Sequence, residues 1–177
     1  MTDLFIKFLQ SPNRETFLSV RDSVAGSEKY CPYSNEISSI AKLLGEAQYE
    51  EAHTQIGNAM PNLLLSPSIH LYSAIVADRR GDAEGAKMER FIAYCCVQGI
   101  MATGDGSHEK PYLVLRTSDE YDVVQFLGKQ PTSQSLHNEP SRDLDLINCE
   151  DGSELWFDIT IPYAKLADLF GQRAQQQ

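Results

Sequence analysis

Apolar residues recur at intervals of three and four through the first hundred positions, the spacing that lines one face of a helix. Leu4, Phe5, Phe8 and Leu9 form the first such face, and Phe17, Val20 and Val24 form the second. Ser11-Pro12 lies between them and predicts an N-cap followed by a proline at the first helical position. Residues 26–32 read as a connector. A helix from about Asn35 carries Ile37, Ile40, Ala41 and Leu44 and stops near Gly45, and another runs from Tyr49 to Met60. Asn62 and Pro67 break the chain before a helix from Ser68 to Arg80 with Leu71, Ile75 and Val76. Gly81-Asp82 then turns into a helix that ends near Gly99.

The pattern changes at Thr103-Gly104-Asp105-Gly106-Ser107, a loop ahead of a strand at Tyr112 to Arg116. Thr117 with Glu120 three residues on predicts a capping box for a helix holding Val123, Val124, Phe126 and Leu127 and ending at Gly128. Lys129 to about Ser141 reads as a polar loop. Asp151-Gly152 then sits between two apolar-rich runs, 143–149 and 154–160, and favours a two-residue hairpin turn. Counting outward from that turn pairs Ile147 with Trp156, Leu146 with Phe157, Asp145 with Asp158 and Leu144 with Ile159. The expected core face is Leu144, Leu146, Leu155, Phe157 and Ile159, leaving Ile147, Trp156 and the two acids outside. A terminal helix from Pro162 through Leu169 closes the lobe, and Gln175 to Gln177 form a disordered tail. The expected fold class is α+β: a helical-hairpin region over 1–102 packed on a small lobe over 103–174 with at least three strands.

Within the helical half, Tyr49-Glu50-Glu51-Ala52 is answered thirty-four residues later by Ala83-Glu84-Gly85-Ala86, and Ala59 by Ala93. That period resembles stacked helical hairpins of tetratricopeptide type, with Ala52 and Ala86 at close helix crossings. Arg90 stands where Ile56 stands in the first unit, so two degenerate units or a plain helical bundle both fit. In the second half, Gly104-Asp105-Gly106-Ser107, Pro111-Tyr112-Leu113-Val114, Glu120-Tyr121-Asp122, Ser133-Gln134-Ser135-Leu136 and Leu155-Trp156-Phe157-Asp158-Ile159 together resemble an uncharacterised bacterial family, one of the domains of unknown function. That resemblance implies a layout and no activity.

Charge is uneven. Residues 1–102 hold nine basic against twelve acidic residues, while 103–177 hold six against thirteen, so most of the net −10 belongs to the second lobe. Such a surface repels phosphate backbones and anionic lipid, which argues against nucleic acid and membrane as ligands and favours a protein or peptide partner, a basic one above all. The longest apolar stretch, Phe91 to Ala102, is far shorter than the roughly 20 residues that span a bilayer. Four cysteines without a C-x-x-C spacing suit reduced thiols in a cytoplasm.

No arrangement of residues specifies catalysis, a metal or a cofactor. The Gly104 to Ser107 loop lacks the lysine and spacing of a phosphate loop. His53, His70, His108 and His137 have no metal-ligand spacing, and the acids Glu150 and Asp151 beside Cys149 make it a poor nucleophile. Trp156 is either covered or an exposed anchor, with covered preferred. The reading is a non-enzymatic intracellular binding protein whose oligomeric state the sequence leaves open. An adaptor would use a concave helical surface with Leu71, Ile75, Asp78 and Arg79. An inhibitor of a basic protein would use the acidic face with Asp145, Trp156 and Asp158. The third alternative is an enzyme using Asp145, Asp158 and His108.

Overall fold

A computed structural model describes residues 2–166. Its elements follow the order α1 (Thr2–Gln10), α2 (Arg14–Ala25), α3 (Glu36–Gly45), α4 (Tyr49–Ala59), α5 (Pro67–Arg79), α6 (Ala83–Met101), β1 (Tyr112–Leu113), α7 (Thr117–Phe126), β2 (Pro131–Asn138), β3 (Asp143–Cys149) and β4 (Glu154–Asp158). The chain is therefore an α+β fold, a six-helix bundle packed on a lobe that carries a four-stranded sheet. Residues 160–166 are helical, so the expected terminal helix starts two residues early. Its end and the expected tail at 175–177 lie outside the described residues.

Helix α2 is capped by Asn13 rather than Ser11. The Asn13 side chain accepts the Thr16 N–H at 3.1 Å and the Thr16 hydroxyl oxygen accepts the Asn13 N–H at 3.3 Å, which satisfies two of the amides that a helix start leaves free. The Ser11 carbonyl instead takes the Thr16 hydroxyl at 2.8 Å. Helices α3 and α4 pack together, as do α5 and α6, and α5 also packs on both α3 and α4. Short connections make each pair an antiparallel hairpin. Ala52 and Ala86 lose all solvent contact, and Ala59 and Ala93 are also buried, as small residues at close helix crossings should be. Ile56 is buried and Arg90 is exposed. Helix α5 covers the α4 face that carries Ile56, whereas among the described residues no further helical hairpin follows α6 to cover Arg90. Gly99 permits a second close approach, since a Cβ there would lie 2.3 Å from the Phe17 ring and 2.9 Å from Phe8.

Two clusters of buried side chains result. Phe8 of α1, Phe17, Val20 and Val24 of α2 and Cys95 and Cys96 of α6 form one core with Val123 and Val124 of α7 and with Ile147, Leu155 and Phe157 of the sheet. Ile40, Leu43, Ala52, Ile56, Leu63, Ile69 and Val76 form the other, wholly within α3, α4, α5 and the α4–α5 connection. The larger core thus crosses residue 103, where the sequence pattern changes, and bonds the sheet to α1, α2 and α6.

The sheet order is β1-β4-β3-β2, with β1 parallel to β4 and the other pairs antiparallel. Two expectations change here. The segment read as a polar loop after Lys129 contains β2, an edge strand along β3. The hairpin turn has three residues, not two: Cys149 N–H donates to the Ser153 carbonyl at 2.9 Å, Gly152 N–H donates to the Cys149 carbonyl at 3.0 Å, and Gly152 takes φ +80. A turn closed by a left-handed glycine shifts the register by one residue. Asp145 pairs with Phe157, Leu146 with Trp156, Ile147 with Leu155 and Leu144 with Asp158. Leu155, Phe157 and Ile159 are buried as expected, but β3 is inverted, with Ile147 and Asp145 on the core face and Leu146 on the outer one; Leu144, on the same outer face as Leu146, is still fully buried. The expected strand from Tyr112 to Arg116 contracts to two residues, because Leu115 and Arg116 turn into other bonds described next.

Candidate functional site

A groove of about 270 Å³ lies where the second helical hairpin meets α7. Pro67 and Leu71 of α5, Ala93, Tyr94 and Val97 of α6 and Phe126 of α7 supply its apolar walls. Leu71, Tyr94 and Phe126 are 43%, 53% and 44% exposed, large values for apolar groups of that size. Tyr94 and Phe126 face each other with ring centroids 6.0 Å apart, which fixes the α6–α7 side of the groove. Ile75, one turn beyond Leu71 on α5, is similarly exposed, and Phe91, on α6 one turn before Tyr94, continues the apolar surface. At the rim Arg90 pairs with Asp78. Asp122 on the α7 side accepts the Ser68 N–H at 3.1 Å and the Ser68 hydroxyl at 2.7 Å. Burial pushes its carboxyl up, and the bonds from Ser68 oppose that shift.

Of the four helical residues expected to bind a partner, Leu71 lines this groove, Ile75 and Asp78 extend the same face of α5, and Arg79 points elsewhere. The Arg79 guanidinium lies 5.5 Å from the Tyr49 ring centroid, against α4.

The three expected residues of the acidic lobe do not form one surface. Asp145 is only 7% exposed and Asp158 sits opposite Leu144, so the two acids do not face each other across the hairpin. Asp158 instead accepts the Thr160 N–H at 2.9 Å where the helix over 160–166 begins. Trp156 is half-buried on the outer face between two imidazoles, His108 at 4.7 Å and His137 at 4.9 Å between ring centroids. His108 Nε2 lies 2.6 Å from Glu139 Oε1, and Arg142 donates to the other Glu139 oxygen at 2.8 Å. The Arg142 bond and then the His108 bond hold the Glu139 carboxyl below its ordinary value. Asp145 lies on the opposite face of the sheet from His108, so the constellation of Asp145, Asp158 and His108 is not assembled.

Asp145 meets a carboxyl that the sequence reading assigned elsewhere. The capping box of Thr117 and Glu120 does not form. Leu115 N–H donates to Asp119 at 3.2 Å, and Glu120 turns fully inward to the sheet. The Gln134 amide of β2 donates to Glu120 at 3.0 Å and to Asp145 at 2.8 Å, while its oxygen accepts the Tyr121 hydroxyl at 2.8 Å. Burial, the nearby Asp145 charge and then Asp119 push Glu120 up to about 10. Glu120 is therefore protonated at neutral pH and donates to Asp145, which gives a role to a Glu120 oxygen that otherwise has no hydrogen-bond partner. Its position was readable: Glu120, Val123, Val124 and Leu127 share one helical face, so the periodicity that buries the valines buries the acid with them.

A second buried network ties the helical half to α7. Arg116 donates to the Asn62 carbonyl at 3.0 Å and to its side-chain oxygen at 2.9 Å, and Asn62 also accepts the Cys31 N–H at 2.9 Å and donates to Glu36 at 2.6 Å. The Tyr30 hydroxyl donates to the Leu115 carbonyl at 2.6 Å. Asn62, expected only as a helix break, is thus the junction of three segments.

Among the described residues no group of three His, Cys, Asp or Glu side chains could hold a metal ion, and no helix is long and apolar enough to cross a membrane. Comparison of the chain with protein-family models, with curated proteins and with solved structures returns no match.

Proposed function

We propose that this chain is a non-enzymatic protein-binding module and that the groove between α5, α6 and α7 takes an amphipathic helical segment of a partner. The observation behind this reading is the run of Leu71, Tyr94 and Phe126 along one concavity, where three rigid or branched apolar groups stay in contact with water. A partner helix with apolar residues at i, i+4 and i+7 matches the spacing along α5 and covers them. Aromatic anchors in a concave setting supply most of the free energy of such contacts. The rim carries Asp78 and Asp122 beside Arg90, on a chain of net charge −10, and this favours a partner with basic flanks. The groove flanks the second of two similar hairpins, the place where a further unit of a tetratricopeptide-type array would stack. Four free cysteines suit a reducing cytoplasm as the place of action.

The test is selection of binders from a displayed library of amphipathic helical peptides, followed by fluorescence anisotropy of the best one. Tyr94→Asp should weaken its binding at least about tenfold, because a charge is buried against Phe126. Trp156→Ala, on the outer face of the sheet, should leave it unchanged. Selected peptides whose affinity responds to Trp156 and not to Tyr94 would move the binding surface to the sheet and overturn this reading.

A further inference from the structure

The two edges of the sheet are unlike. On one side β1 has two residues, and α6 packs against it. On the other, β2 has eight residues, and all but His137 are exposed. Natural sheets guard such an edge with charged side chains, an internal proline or a very short strand. Residues 130–138 contain no lysine, arginine or acid, and the proline stands at the first position of the strand. The register irregularity between Pro131 and Ser133 is confined to that end, leaving Ser133 to Asn138 regular.

The direction of the backbone groups follows from the ladder. Beyond the strand, Glu139 N–H donates to the Arg142 carbonyl at 3.0 Å, and on the far side of β3 Ile159 N–H donates to the Asp143 carbonyl at 2.9 Å. Alternation then turns the N–H and C=O groups of Ser133, Ser135 and His137 toward β3 and those of Gln134, Leu136 and Asn138 outward. The outward edge is also held in place. Gln134 makes three side-chain hydrogen bonds to Glu120, Asp145 and Tyr121, so β2 is ordered before any partner arrives and little ordering entropy remains to be lost.

We propose that β2 pairs antiparallel with the β2 of a second copy of this chain, joining two four-stranded sheets into one of eight strands across a two-fold axis. Symmetry sets the direction, since two copies that pair through the same strand about a two-fold axis perpendicular to the sheet run antiparallel and close at two. The ends of the strand suit a copy of itself: Lys129 is paired with Asp151 and Glu139 with Arg142, so an uncharged strand with neutralised ends meets its own equal. A charge-free strand also lets two chains of net −10 approach along an exposed stretch that carries no acid, with the remaining repulsion screened beyond about 8 Å at physiological salt. Leu136, 45% exposed, gains a neighbour across the axis. This pairing leaves the groove over α5, α6 and α7 open on both copies.

Sedimentation velocity of the full chain across the micromolar range is the first measurement, and the mass should rise from 19.8 kDa toward twice that value. Amide hydrogen exchange should show the Leu136 and Asn138 N–H groups gaining protection with concentration, while those of Ser133 and Ser135 are protected throughout. Leu136→Pro removes one outward N–H and leaves the β3 ladder intact, as proline is tolerated on an edge. It should keep the circular dichroism of the parent and remain monomeric. A parent that stays monomeric throughout overturns the proposal. So does a dimer that survives Leu136→Pro, or one lost in Tyr94→Asp but not in Leu136→Pro, since either places the contact on another surface.

Discussion

Asp119 and Glu120 are consecutive residues in the first turn of α7, both are carboxyls, and both are cut off from solvent. Their surroundings differ in sign. Asp119 has Arg116 beside it and accepts a backbone N–H, so burial pushes it up only to about 7 against the pull of the guanidinium. Glu120 faces Asp145 instead and is pushed up to about 10. Burial raises both carboxyls; the cation beside Asp119 offsets part of that rise, and the anion beside Glu120 adds to it. At equal burial, the charge of the nearest partner then separates the two acids.

The strongest way to break the contrast is to remove the cation. Arg116→Ala leaves Asp119 buried without a counter-charge and the Asn62 backbone carbonyl without a donor, and should cost about 3 to 5 kcal/mol in urea denaturation. A loss below 1 kcal/mol would mean that Asp119 is neutral already. Removing the neutral member should act in the opposite direction. Between its ordinary value of 4.5 and about 10, Glu120 holds a proton in the folded chain and not in the unfolded one. This contribution to stability is therefore full below pH 4.5 and is lost steadily as pH rises toward 10. Glu120→Gln keeps a donor for Asp145 and an acceptor for Gln134 without that proton, so it should stabilise the protein by roughly 2 kcal/mol at pH 8 and flatten the decline between pH 5 and 9. Equal slopes in parent and variant would place the proton elsewhere. Gln134→Ala withdraws both amide donations from the pair and should cost about 1 kcal/mol, with Asp145 titrating higher when followed by carboxyl carbon shifts. Tyr121→Phe removes only the exposed bond that orients Gln134. It should change the denaturation midpoint by less than about 0.5 kcal/mol equivalent.

The helical half was legible in the sequence because each helix carries its own period. Ala52, Ala59, Ala86 and Ala93 could be placed at crossings from their spacing alone, and Leu71 and Ile75 could be assigned to one face of α5. The start of α2 moved by two residues, since Ser11 and Asn13 are both competent caps and the Thr16 hydroxyl selects Asn13, and α6 runs on to Met101 past Gly99. Register in the sheet was not legible in the same way. Asp-Gly serves a two-residue turn and equally a three-residue turn whose last position is left-handed, and the choice inverts every side chain of β3. That single residue moved Asp145 from an expected outer face to the partner of Glu120. Strand β2 gave no pattern because an edge strand exposed on both faces has no apolar alternation to show. The groove was half readable: α5 announced its exposed leucine and isoleucine, while the contribution of Phe126 depends on how α7 docks.

The larger core has a consequence for the order in which the chain is made. Phe8 and Phe17 belong to a core that also holds Ile147, Leu155 and Phe157, so that core is completed only when β4 has been synthesised. The smaller cluster runs only from Ile40 to Val76 and can close early, from contacts of short separation. Synthesis therefore yields a folded middle beside a larger core that stays open on its sheet side until the last described strand arrives.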